Sequence, residues 1–220
     1  MFYAKINMVK IMKYGLKNFV IYLLLPNFII MLLSNFITNI IIKSILGYLV
    51  LLIYFIILSK DDLIKQYKDF KNNKIKYLKI ILKYTFICFI LMMFSNYIIN
   101  KFINVLPTNE LNNRELIKNN ILLAFIYIVF IAPLLEEYVF RYSFRKINNY
   151  YLYMFMTLSL FTFIHLMSIN SISEIYYLIP YSIIGFGFSS VYFKTQNYFA
   201  SLFSHIIHNL LCVIIIMIGL

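Results

Sequence analysis

The chain has 220 residues, of which 63% are hydrophobic and only 13% charged, and its mean hydropathy is +0.84. So few polar side chains exclude a soluble domain of this length, which would need far more polar surface to stay dispersed. The net charge of +12 does not point to nucleic acid, because the Lys and Arg residues lie between apolar segments, where the positive-inside rule accounts for them.

In chain order, the apolar runs predict seven membrane-spanning helices, roughly 18–35, 37–59, 79–100, 118–140, 150–169, 174–193 and 197–219. The runs are continuously apolar and do not alternate, which excludes a β-barrel and makes the fold class all-α, polytopic and membrane-embedded. The basic lead with Lys5, Lys10, Lys13 and Lys17 lacks a signal-peptide pattern. It reads as a cytoplasmic flank of the first span, able to lie as an amphipathic helix on the membrane surface. Only a polar patch at Ser34 and Asn35 separates the first two spans. The 60–79 loop is rich in lysine, including Lys60, Lys65, Lys68, Lys71, Lys74, Lys76 and Lys79. Arg145 and Lys146 mark the 141–149 link, and Lys194 the turn before the last span. The alternate connections carry Lys43, a nearly balanced set from Lys101 to Lys118, and Glu174. This alternation places the N-terminus in the cytoplasm and the C-terminus outside, in a multi-pass protein of the cell membrane. Cys88 and Cys212 fall within spans and read as small apolar residues, not as a disulfide or metal framework.

Ionisable residues inside a membrane are costly and are functional candidates by default. In Ile131-Ala-Pro-Leu-Leu-Glu-Glu-Tyr-Val-Phe-Arg141, Glu136 and Glu137 point about 100° apart on a helix. Glu137 and Arg141 are spaced i,i+4 in the order that favours an ion pair, which leaves Glu136 free to face the bundle interior. Phe161 stands one turn before His165 and reads as core packing. His205 and Asn209 share a face of the last span, with His208 beside it and no assigned task. At 1.5 Å per residue, Glu136 lies roughly 14 Å from the helix end near Arg145. On the same rise His165 lies about 22 Å from Tyr150, and His205 and Asn209 about 12–18 Å from Asn197. Four groups from three spans therefore reach a similar depth, as a buried site requires.

Glu136-Glu137-x-x-x-Arg141, Phe161-x-x-x-His165 and His205-x-x-x-Asn209, in this order on successive spans, resemble the CPBP intramembrane proteases. That family includes the type II CAAX prenyl endopeptidases and relatives associated with bacteriocin processing and immunity. Ala132-Pro133 and the run Lys194-Thr195-Gln196-Asn197 followed by Ser201 are also similar to family members. Tyr142 and Ser189 depart from it, standing where glycine is expected. The resemblance divides the chain into an N-terminal membrane region, 1–116, with no recognised motif, and a protease-like core, 117–219. It implies an endopeptidase acting from the cytoplasmic side on a membrane-associated peptide or protein. Glu136 would activate water together with His165, His205 and Asn209 would support the oxyanion, and Glu137, Arg141 and Phe161 would support the site. No cofactor is expected to be required; zinc held by His165, His205 and Glu136 is the alternative. A non-catalytic immunity or peptide-binding protein of the same fold is the alternative function.

Overall fold

The structure is a computed structural model that describes residues 2–103, 105–167 and 169–219. Among them there is no strand; the helices are α1 (Phe2–Leu33), α2 (Ile40–Asn72), α3 (Lys74–Ile103), α4 (Thr108–Asn119), α5 (Ile121–Ile126), α6 (Ala132–Phe140), α7 (Tyr150–Leu166), α8 (Leu178–Thr195) and α9 (Tyr198–Met217). Six helical stretches are long and apolar enough to cross a membrane, and α7, with 17 residues, reaches about 25 Å at the usual rise. The chain is a multi-pass helical membrane protein.

The 60–79 region differs from the loop expected of it. Helices α2 and α3 run through it with only Asn73 between them. Lys, Gln and Leu are good helix formers, so nothing in this stretch stops α2 until Asn73, whose side-chain amide donates to Asp69. The 33 residues of α2 make a rod of about 50 Å, longer than the roughly 30 Å of hydrocarbon. Its last turns turn Asp62, Gln66 and Asp69 towards the start of α9 and the segment after α6. The connection expected between the third and fourth spans contains a polar helix, α4, and the following span begins at Ile121.

Helices α5 and α6 form one span interrupted by a π-helical turn, Tyr127–Ile131. Its cause lies in the sequence. The Ala132 N–H bonds to the Tyr127 carbonyl, and the next residue, Pro133, has no N–H to offer Ile128. The Ile128 carbonyl takes its donor from elsewhere, as described below.

One core joins the helices on either side of α4, with Phe55 of α2, Tyr138 and Phe140 of α6, Phe161 of α7 and Phe188 of α8 at its centre. Polar links cross the same packing. Asn18 of α1 donates to Ser143 at 2.9 Å, Ser59 of α2 meets the Tyr138 hydroxyl, and Thr85 of α3 meets Ser204 of α9 at 2.6 Å. In hydrocarbon a polar group has no water to fall back on, so each such pair helps fix which faces meet.

Close approach of α1 depends on Gly15. A Cβ there would stand 2.2 Å from the ring of Phe144, which is fully buried. Gly15→Ala is expected to cost about 1–3 kcal/mol by overpacking. Thermal unfolding in detergent checks this: the midpoint should fall for Gly15→Ala and stay unchanged for Leu16→Ala, on the exposed side of the same turn.

Candidate functional site

The site starts at the end of α6, where two neighbouring glutamates are turned to different surroundings. Glu137 is fully buried. Its Oε1 accepts from Arg141 Nη1 at 2.9 Å and from His205 Nδ1 at 2.8 Å, and its Oε2 accepts from the Ser201 hydroxyl. Ser201 and His205 are one turn apart on α9, so a single helix face delivers both donors. Arg141 is also fully buried; its guanidinium lies 4.4 Å from the Phe161 ring centroid and reaches Gly185 O and Ser189 Oγ, each at 3.4 Å. A desolvated ion pair survives only when its remaining donors and acceptors are met, and here α7, α8 and α9 each contribute.

The two departures from glycine have their own packing. Ser189 places its hydroxyl beside Arg141 Nε. Tyr142 donates to Asp62 of α2 at 2.6 Å, and Arg145 lies over its ring at 3.9 Å while pairing with Asp62 at 3.1 Å. The large side chain thus locks α2 to the end of α6.

Glu136 has the opposite surroundings. Its Oε2 is buried with no hydrogen-bond partner among the described residues and stands 3.9 Å from His205 Nε2. His205 is held at its other nitrogen by Glu137, and its ring stacks on Phe188 at 4.2 Å, which leaves Nε2 for the space beside Glu136. His165, in the last turn of α7, has Nδ1 2.8 Å from the Phe161 carbonyl. A carbonyl can only accept, so Nδ1 carries the proton and Nε2 of the neutral ring keeps its lone pair. Phe161 and Tyr181 flank that imidazole, with ring centroids 4.5 Å and 4.7 Å away. Asn209 Nδ2 donates to Ile128 O at 2.8 Å, supplying the hydrogen that Pro133 cannot. Its second amide hydrogen is not used by that bond.

Glu136, Phe161, His165, His205 and Asn209 all line one cavity of about 530 Å³. The structure therefore brings together the four residues expected at the centre, with Glu137 and Arg141 behind them. His208 also borders the cavity, held between Phe89 and Phe188 with Nε2 3.5 Å from Cys212 Sγ. Among the described residues, no three His, Cys, Asp or Glu side chains gather closely enough to hold a metal ion. His165, His205 and Glu136 as arranged do not fit the zinc alternative, and no step below is routed through a metal.

Sequence reasoning missed Ser201 as a donor to Glu137 and Asn96, whose Oδ1 is buried in the same cavity without a partner. The i,i+4 relation of Ser201 to His205 was the available signal for the first; Asn96 had none. The two glutamates should separate in a stability measurement. Glu137→Ala strands a buried guanidinium and is expected to cost about 3–5 kcal/mol. Glu136→Gln removes no hydrogen bond and should leave the unfolding midpoint in detergent within about 0.5 kcal/mol of the parent.

A family model described as Rce1-like, "Type II CAAX prenyl endopeptidase Rce1-like", matches residues 118–211. No curated protein and no solved structure matches the chain. Residues 118–211 contain the paired glutamates, His165, His205 and Asn209, and over this stretch the chain is similar to the type II CAAX prenyl endopeptidase Rce1-like family.

Proposed function

We propose that the protein hydrolyses a peptide bond of a membrane-associated peptide or protein, with Glu136 as general base in the cavity between α6, α7 and α9. The observation that carries this reading is Glu136 at the cavity wall, its buried Oε2 without a hydrogen-bond partner among the described residues while its neighbour Glu137 has three. A structural carboxylate at this depth would be expected to have partners of its own. Similarity of residues 118–211 to the type II CAAX prenyl endopeptidase Rce1-like family supports the reaction class.

In the proposed reaction, one hydrogen of a water molecule bonds to the Glu136 carboxylate and the other to His165 Nε2, which aims the oxygen lone pair at the scissile carbonyl. Attack forms the C–O bond and transfers the first proton to Glu136. His205, with a proton on each ring nitrogen, donates Nδ1–H to Glu137 and Nε2–H to the oxyanion. The free amide hydrogen of Asn209 is the second donor. Collapse breaks the C–N bond, and Glu136 returns its proton to the leaving amine. Glu137 and Arg141 touch no substrate; they hold His205 in the orientation this requires. The cell membrane is the proposed location.

Loss of a general base or its partner typically lowers such a rate by about 10²–10⁴-fold. Glu136→Ala and His165→Ala are expected to abolish turnover while the chain still accumulates in the membrane. Peptidomics of membranes from cells carrying each variant measures this: an uncut precursor should build up with both. Identical peptide profiles for the parent and both variants would exclude the protease reading.

A further inference from the structure

A second cavity, of about 880 Å³, shares no lining residue with the glutamate site and lies between α1, the α2 turns around Lys60 and the stretch after α6. Four cations line it, Lys10, Lys60, Arg145 and Lys146, against two carboxylates, Asp61 and Asp62. Asp62 is already engaged: it accepts from Tyr142 at 2.6 Å and pairs with Arg145 at 3.1 Å. Among the described residues no ion pair engages Lys10, Lys60 or Lys146, all of them exposed. The cavity also borders the start of α7, with Asn148 and Asn149 in its lining, and so meets the positive end of a 17-residue helix. Three chain segments thus build an excess of positive charge into it.

We propose that this cavity binds the phosphate headgroup of an anionic phospholipid, whose acyl chains continue along the apolar surface of α2. Its depth favours a lipid over a soluble anion. Lys60 is the first charge of α2 after Lys43, so it marks the level at which this helix leaves the hydrocarbon. Within one turn of it, in the same lining, Ile57 and Leu58 are 72% and 52% exposed, as side chains that meet lipid tails are. The lining therefore passes from ammonium groups to a lipid-facing surface over a few ångströms, and only an amphiphile uses both parts. The charge favours an acidic headgroup. Lysine ammonium and asparagine amide groups donate to phosphate oxygens, and basic pockets between spanning helices suit such headgroups. A zwitterionic lipid would bring a cation of its own to a site that already has a surplus.

The walls are fixed by bonds that leave the lysines free. The Arg145 guanidinium lies 3.9 Å from the Tyr142 ring centroid and donates to the Tyr142 carbonyl at 3.2 Å. Ser143 accepts from Asn18 of α1 and donates to the Tyr138 carbonyl, both at 2.9 Å. These contacts hold α1, α2 and the segment after α6 at a set spacing, so a ligand has only exposed lysine side chains to order. None of these groups takes part in the proposed hydrolysis, and the lipid site does not rest on the peptidase reading.

Native mass spectrometry of the delipidated full-length protein in a neutral detergent, titrated with dioctanoyl phosphatidylglycerol, tests this. A one-to-one adduct should form, and dioctanoyl phosphatidylcholine or inorganic phosphate should bind about tenfold more weakly or not at all. Each lysine beside an anionic headgroup is worth roughly fivefold in affinity, so Lys60→Gln combined with Lys146→Gln should weaken binding about 25-fold. Lys65→Gln combined with Lys68→Gln removes the same charge from exposed positions of α2 outside the lining and should bind as the parent does. All four lysines are exposed, and an unchanged unfolding midpoint in detergent confirms that both variants keep the fold. Absence of the adduct, equal binding of phosphatidylcholine, or an equal loss in the two double variants overturns the proposal. Inorganic phosphate bound as tightly as the lipid would show an anion site that takes no lipid, and overturns it as well.

Discussion

The buried ion pair between Glu137 and Arg141 is the constraint on which the site depends. Two full charges in a helical bundle surrounded by lipid are tolerable only when every remaining donor and acceptor is matched. Matching them takes a carbonyl and a hydroxyl from α8, an aromatic face from α7, and a hydroxyl and an imidazole from α9. Rotating any one of these helices would strip a partner from a charge. The pair therefore sets the rotation of three helices around α6, and with it the direction in which His205 presents its second nitrogen.

What this leaves for Glu136 follows from helix geometry. A step of one residue turns the side chain by about 100°, so the face that buries Glu137 in partners aims Glu136 at the cavity. A buried oxygen with no partner among the described residues destabilises the fold, and the dense bonding around its neighbour offsets this. Conflict with a local rule, compensated close by, is what a functional position looks like. Asn209 shows the same economy in its two amide hydrogens. One repairs the Ile128 carbonyl that Pro133 leaves without a donor, and the other remains for the cavity. The π turn is thus the reason the asparagine is anchored where it is.

Much of this site was legible in the sequence because its information is local and periodic. The i,i+4 relations of Glu137 to Arg141 and of His205 to Asn209 survive into the structure, since helices preserve spacing, and the shared depth follows from the helical rise. The partners across helices were not legible. Spacing puts Ser201 on the face of His205 but does not name Glu137 as its acceptor, and nothing local tells that Tyr142 reaches Asp62 eighty residues away or that Asn96 enters the cavity. Charge in the 60–72 segment marks where the chain leaves the bilayer and not where the helix ends, because helix propensity stays high in such sequences. Phe161 packs in the core, yet its ring carries the Arg141 guanidinium while its backbone carbonyl fixes the His165 tautomer.

Phe161 also explains why the two histidines are not interchangeable. Each has one nitrogen committed, but to acceptors of different kind: His165 to a neutral carbonyl, His205 to a carboxylate. The bond to the carbonyl keeps a proton on His165 Nδ1, which leaves the lone pair of Nε2 in the neutral ring to accept a hydrogen from water in the proposed reaction. The bond to the carboxylate holds His205 Nδ1 and turns Nε2 to the space beside Glu136, where the proposed reaction places an oxyanion donor. The division of labour between two identical side chains is therefore written in what lies behind each of them, and in both cases that support belongs to the packing around Arg141.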